Sequence, residues 1–225
     1  MEAYDYFIPV CVFGEAGVGK TCLLYRLREN SYFEGVPTIG VEFSDKTMTV
    51  GDTRVKLQCW DTAGDARFKS MVKQYFRDKA ACVIVFDVTD RQSFAGVEAW
   101  IDDLRLISHP YAVIVMVGNK ADCDRCVDRE MVEKVAKSKN VVYFECSAKT
   151  GTNVEEIFSY LATEIVEKIK SGKINVKDDS TGIRKQGVSK GSNMLSMSTF
   201  KSSQSQDDSI LNKAWTFLCP KKNRS

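Results

Sequence analysis

The sequence has a single histidine, at position 109, with no neighbour that suggests a catalytic base, so chemistry resting on imidazole proton transfer is excluded. No apolar run approaches the roughly 20 residues of a membrane span. The N-terminus is too acidic, and its apolar run too short, for a signal peptide. A cytosolic location is the resulting expectation. The eight cysteines, at 11, 22, 59, 82, 123, 126, 146 and 219, make no disulfide framework. Most fall within apolar runs, where a thiol acts as a small hydrophobe. Only Cys123-Asp124-Arg125-Cys126 has ligand-like spacing, and without a second pair or a nearby histidine it reads as a polar surface loop.

What is present suffices for one sizeable domain and a tail: 225 residues, of which 44% are apolar. The net charge of +2 conceals a split, because residues 171–225 carry ten Lys or Arg against four Asp or Glu and the remainder is acidic. No nucleic-acid partner is expected for the folded part. The basic tail suits an anionic membrane surface or plain solvation.

Gly14-Glu15-Ala16-Gly17-Val18-Gly19-Lys20-Thr21 fits G-x-x-x-x-G-K-[ST], between an apolar run at residues 7–13 and a helical run starting at Lys20. Glycines let the backbone curl until successive N–H groups point at phosphate oxygens, and the helix adds the positive end of its dipole. Lys20 is expected on the β- and γ-phosphates and Thr21 on Mg²⁺, with Cys22 next to them among the nucleotide-contacting positions.

Residues 7–13 read as a buried strand, and residues 30–40 as a loop containing Gly35 and Pro37. Residues 42–50 and 53–61 form a hairpin through Gly51-Asp52. Residues 66–78 are a weaker helix and residues 80–87 a buried strand. Residues 93–107 make an amphipathic helix with Phe94, Val97, Trp100, Ile101 and Leu104 on one face. A strand at 111–117, a helix at 128–138 and a strand at 141–146 follow. Thr152 and Glu155 form a capping-box signature opening a helix that runs to about Lys170. The alternation predicts a three-layer α/β fold, a six-stranded, mostly parallel sheet with one antiparallel strand and helices on both faces. Ligands of such sheets sit beyond the carboxyl ends of the strands.

Two further motifs end on that edge. Asp61-Thr62-Ala63-Gly64 offers a carboxylate for Mg²⁺ and the Gly64 N–H for a γ-phosphate. Asn119-Lys120-Ala121-Asp122 offers a carboxylate that accepts from guanine N1 and N2, a pairing adenine lacks, so GTP and GDP are the expected nucleotides. Lys120 is expected to lay its stem along the base and bond the phosphate-carrying loop, and Ser147-Ala148-Lys149 to supply an N–H for the guanine O6.

With these motifs, residues 7–170 resemble the Ras superfamily of small GTPases, and within it the Rab family of membrane-traffic switches. The family wording stands in Thr38-Ile39-Gly40-Val41-Glu42-Phe43, Lys56-Leu57-Gln58-Cys59-Trp60, Arg67-Phe68, Tyr75-Phe76-Arg77 and Val85-Phe86-Asp87-Val88-Thr89. The resemblance implies that Thr38 binds Mg²⁺ and γ-phosphate from switch I, and that Tyr32 stacks on the guanine edge. It also implies that Phe43, Trp60 and Tyr75 form an aromatic patch read by effectors, and that an exchange factor and a GTPase-activating protein act on the switch.

Three departures qualify the resemblance. Asp65 stands where the family has glutamine to orient the attacking water, and Ala66 where it has glutamate. Aspartate is shorter, has no N–H donor and brings negative charge towards an anionic γ-phosphate, so of the expected catalytic set Lys20, Gly64 and Asp65, the last predicts slow turnover. Pro37 precedes Thr38 in a switch I that is one residue short, which predicts a stiffer loop. The ending Cys219-Pro220-Lys221-Lys222-Asn223-Arg224-Ser225 is neither C-a-a-X nor a paired-cysteine terminus, so prenylation is not expected. Residues 171–209 read as a disordered linker. Residues 210–225 read as a short apolar segment with basic flanks, suited either to peripheral contact with the cytosolic face of an endomembrane, aided by acylation of Cys219, or to docking on a partner.

Overall fold

The computed structural model describes residues 3–35, 38, 41–62, 64 and 79–186. Five parallel strands and one antiparallel strand form a sheet in the order β2-β3-β1-β4-β5-β6. Their ranges are β1 Tyr6–Phe13, β2 Val41–Val50, β3 Thr53–Thr62, β4 Ala81–Asp87, β5 Val113–Asn119 and β6 Val142–Glu145. The helices are α1 Lys20–Glu29, α2 Arg91–Ala95, α3 Val97–Ile107, α4 Arg129–Ser138 and α5 Val154–Lys170. Strands β4 and β5 are buried along their whole length, as their unbroken apolar runs require for a sheet covered on both faces. In contrast, β3 alternates with Val55, Leu57 and Cys59 inward, because it carries the antiparallel edge strand β2.

The side chains sort into two cores, one per face. One packs α1 and α5 through Leu23, Leu24, Leu27, Ile157, Phe158, Leu161 and Ile165 against β1, β3 and the odd residues of β4 and β5. The other packs α3 and α4 through Trp100, Ile101, Leu104 and Val132 against Phe13, Ile84, Phe86 and Met116. The three-layer expectation is met.

Local structure departs from the sequence reading at several points. The helix expected over residues 93–107 begins at Arg91, where the Asp90 side chain accepts from the Gln92 N–H, and it breaks at Gly96. The capping box at Thr152 and Glu155 does not form. Asn153 enters α5 in the left-handed region at φ 57° with no side-chain cap, while its amide donates to the Glu145 carbonyl at 2.7 Å and Thr152 Oγ1 pairs with Thr150 Oγ1. A bond to the end of β6, eight residues earlier, stands in place of the local signature. The helix expected over residues 66–78 lies outside the described residues.

The largest correction concerns residues 171–186, expected as the start of a linker. They are packed, with Ile174, Thr181 and Ile183 buried and a short 3₁₀ turn at Asp179–Thr181. A seventh strand, β7 (Arg184–Lys185), pairs antiparallel with Tyr6 and Phe7. The reason lies in strand lengths. Strand β4 pairs with β1 only from Cys11 onward, which leaves the amino end of β1 without a neighbour on that side. Strand β7 fills the gap, and the Gln186 N–H bonds the Asp5 carbonyl just beyond it. Burial of Ile174, Thr181 and Ile183, the β7 ladder and the turn hydrogen bonds together offset the cost of ordering the segment. A chain ending at Lys170 should therefore be less stable than one ending at Gln186 by about 3 kcal/mol in urea unfolding. Coincident urea midpoints would show that the strap adds nothing.

Candidate functional site

Loops leaving the carboxyl ends of β1, β3, β4, β5 and β6 converge on one edge of the sheet. The first runs from Gly14 to Gly19 and feeds α1, whose opening turn has no side-chain cap and no acidic residue. Its first intrahelical bond is Leu23 N–H to the Gly19 carbonyl, so the N–H groups of Lys20, Thr21 and Cys22 are open to an anion. Gly19 itself has φ 92°, and a Cβ there would come within 2.5 Å of the Asn119 amide. Only glycine fits.

Lys20 is buried, and its ammonium donates to the Gly14 and Glu15 carbonyls at 3.0 and 2.9 Å. Burial pulls its pKa down to about 8, against the opposing pull of Asp61 and Glu15. The cation is thus held inside the curl of the loop, with Ala16 and Gly17 exposed at its rim and Val18 buried beneath. Cys22 sits one residue past Thr21, and its thiol reaches the Phe33 carbonyl at 3.7 Å.

Beside Lys20, three oxygens gather from three elements. Thr21 Oγ1 donates to Asp61 Oδ2 at 2.6 Å, Thr38 Oγ1 to the same oxygen at 3.2 Å, and the two hydroxyls are 2.6 Å apart. Asp61 Oδ1 is buried with no hydrogen-bond partner among the described residues, and burial raises the pKa of this carboxyl. An orphaned carboxylate oxygen beside two hydroxyls is a hard-donor set that fits Mg²⁺. Gly64 closes the other side: a Cβ on it would lie 2.4 Å from the Ala16 nitrogen, so this glycine abuts the phosphate-type loop backbone to backbone.

At the far end, Asn119 is the hub. Its amide Nδ2 donates to the Val18 carbonyl at 2.9 Å, and its Oδ1 accepts from the Ala148 N–H at 3.1 Å. The loop after β5 is therefore tied both to the glycine loop and to the loop after β6. Asp122 Oδ1 accepts from Ser147 Oγ at 2.6 Å, a bond that holds this carboxyl below its usual range. The tie expected from Lys120 to the phosphate-type loop is made by Asn119 instead. Lys120, at φ 65°, turns its ammonium to Asp87 Oδ2 at 2.5 Å. Asp87 feels burial first, yet the bonds from Lys120 and Thr89 leave it more acidic than usual.

Tyr32 stands exposed past the end of α1, while its neighbour Phe33 packs against Tyr25 with ring centroids 4.5 Å apart. Phe43 and Trp60 face each other across β2 and β3, 5.9 Å apart, with Phe43 exposed. Asp65, Ala66, Arg67, Phe68, Tyr75 and residues 210–225 lie outside the described residues. Cys123 and Cys126 are both exposed, and no three His, Cys, Asp or Glu side chains among the described residues cluster as a metal site of their own.

A model of the Ras family matches residues 9–167 of the chain. The chain is 38% identical over 193 residues to the Ras-related protein Rab-4B of Rattus norvegicus, covering 84% of this chain and 90% of the relative. It is 39% identical over 188 residues to the Ras-related protein Rab-4A of Homo sapiens, covering 81% and 85%. The probable Ras-related protein Rab-4A of Echinococcus multilocularis is 35% identical over 208 residues, covering 91% and 93%. The chain belongs to the Ras family and is a Rab-type small GTPase.

For this GTPase the sequence motifs fall in the loops after β1, β3, β5 and β6, and none singles out the loop after β4. What they missed are ties made at long range: the Asp87–Lys120 pair, the Asn119–Val18 bond, and Arg26, whose guanidinium reaches the Ala148 and Asn30 carbonyls at 2.8 and 2.9 Å and also bonds the Lys149 carbonyl. An arginine inside a helix that otherwise buries leucines is the faint signal that was available for the last.

Proposed function

We propose that this GTPase is a GTP/GDP switch that recruits effectors in vesicle and membrane traffic and hydrolyses GTP slowly. The observation that carries the reading is the junction made by Asn119, which joins the glycine loop to the loop bearing Asp122 and so sets a phosphate cradle and a guanine reader at one fixed spacing. Gly14 to Cys22 would wrap the phosphates with open N–H groups, and Lys20 would turn from carbonyls to phosphate oxygens. Thr21, Thr38 and Asp61 would hold Mg²⁺, which neutralises phosphate charge when bound. Asp122 would accept from guanine, with Ser147, Ala148 and Lys149 lining the base and Tyr32 at its edge.

Thr38 and Gly64 would report the γ-phosphate, ordering the surface on which Phe43 and Trp60 stand, with Tyr75 completing the patch that effectors read. An exchange factor and an activating protein would set the two directions of the switch. The segment at 210–225 would give peripheral contact with an endomembrane from the cytosolic side. No helix among the described residues is long and apolar enough to cross a membrane.

Asp65 favours a second reading, a GTP-loaded scaffold with negligible turnover, since a carboxylate there neither donates to water nor tolerates the γ-phosphate charge. Nucleotide released from the purified protein should be guanine nucleotide, identified by chromatography. In single-turnover assays an Asp65→Gln variant should cleave GTP at least about tenfold faster than the natural chain. Equal rates would sink the proposed cause of slow hydrolysis, and bound adenine nucleotide would sink the switch reading itself.

A further inference from the structure

Helix α1 starts at the phosphate-type loop and ends at Asn30, where the segment leading to Thr38 begins. Arg26, in its last turns, is the side chain through which this helix reaches the loop after β6. Its Nε donates to the Ala148 carbonyl at 2.8 Å, its Nη2 to the Lys149 carbonyl, and its Nη1 to the Asn30 carbonyl at 2.9 Å. Such a rigid fork can hold several acceptors at once, which a lysine ammonium on a flexible stem does poorly. The aliphatic stem lies over Gly151, at φ 88°, where a Cβ would sit 3.5 Å from Arg26 Cδ. Loop and side chain are shaped to each other.

The consequence follows from peptide geometry. In a trans peptide the C=O and the next N–H point in opposite directions. Holding the Ala148 carbonyl towards α1 therefore turns the Lys149 N–H away from it. The other N–H groups of this loop are already used: Ser147 bonds the Thr152 carbonyl, Ala148 the Asn119 side chain, Thr150 the Ser147 hydroxyl and Gly151 the Ser147 carbonyl. The Lys149 N–H has no partner among the described residues. It is the donor this loop keeps for a ligand.

We propose that Arg26 is a positioning residue for the guanine base. It fixes the peptide whose N–H meets the base carbonyl O6, and it ties that loop to the phosphate helix and to the entry of switch I, so that nucleotide leaves slowly. The inference rests on the guanine-nucleotide reading above. The bond to the Asn30 carbonyl ties the end of α1 to the same grip on the base.

The test uses the full chain with Arg26→Met, which keeps the stem on Gly151 and removes the fork, and Arg26→Gln, which keeps a single donor nitrogen. Release of a fluorescent GDP analogue should be about tenfold faster for Arg26→Met and intermediate for Arg26→Gln. Competition binding then compares GDP with the diphosphate of 2-aminopurine riboside, which lacks O6. Affinity for GDP should fall about tenfold, and affinity for the O6-free nucleotide should change by less than about twofold. Unchanged GDP release, or equal losses for the two nucleotides, would overturn the proposal and leave Arg26 a structural tie. Failure of the natural chain to bind guanine nucleotide at all would overturn the switch reading together with it.

Discussion

A Lys20→Met variant is expected to bind GTP and GDP at least about a thousandfold more weakly than the natural chain while keeping its fold. Methionine matches the length of the lysine stem and fills the same buried space, so the packing of Val18 and α1 around it is preserved. What is lost is the one ammonium enclosed by the glycine loop, which now rests on the Gly14 and Glu15 carbonyls. Burial has already made that charge costly, as its pKa of about 8 records, and Asp61 and Glu15 are what hold it up. A phosphate arriving in the loop is the stronger counter-charge, and removing the cation leaves the polyanion facing only backbone dipoles. Calorimetric titration of the nucleotide-free protein measures the loss. Affinity within tenfold of the natural chain would mean that Lys20 is a structural lysine tying its own loop.

Asp122→Asn should lose roughly a thousandfold for guanine nucleotides and gain affinity for the xanthine counterparts. Ser147 Oγ, 2.6 Å from Oδ1, favours the ionised carboxyl, and Oδ2 receives only the weaker Cys123 thiol at 3.6 Å, so it can accept from a ligand. Guanine offers two N–H donors in a row, which a carboxylate matches. An asparagine keeps one acceptor and presents an NH₂ that repels the guanine amino group but suits the carbonyl xanthine carries in its place. Paired dissociation constants for the two bases decide it. Loss for guanine with no gain for xanthine would place Asp122 in loop maintenance instead of base reading.

The candidate site was legible in the sequence wherever a motif places its residues as neighbours in the chain. A curled phosphate loop must have its glycines, lysine and threonine within a few residues, and a guanine reader needs its asparagine and aspartate on one strand end, so both appeared as strings. Pairings across the fold leave no such trace. Whether Lys120 turns to Asp87 or to the glycine loop depends on where two strands lie, and Asp87, buried and bonded to Thr89, is the nearer counter-charge. The strap at 171–186 escaped for a related reason. Its composition is polar enough to pass for linker, and it is the short reach of β4 along β1 that makes a place for β7. Gly96 and Asn153 show the same limit at close range, since a helix break and a left-handed entry won over a periodic pattern and a capping signature.

The strap also takes up length. Stretched out, residues 171–186 would span some 50 Å at about 3.3 Å per residue. They are packed instead, with Arg184 and Lys185 paired to β1, and Gln186 sits beside Asp5, at the end of the sheet opposite Asp61, Asp87 and Asn119. The folded unit thus takes up sixteen residues of chain that their composition would leave as spacer.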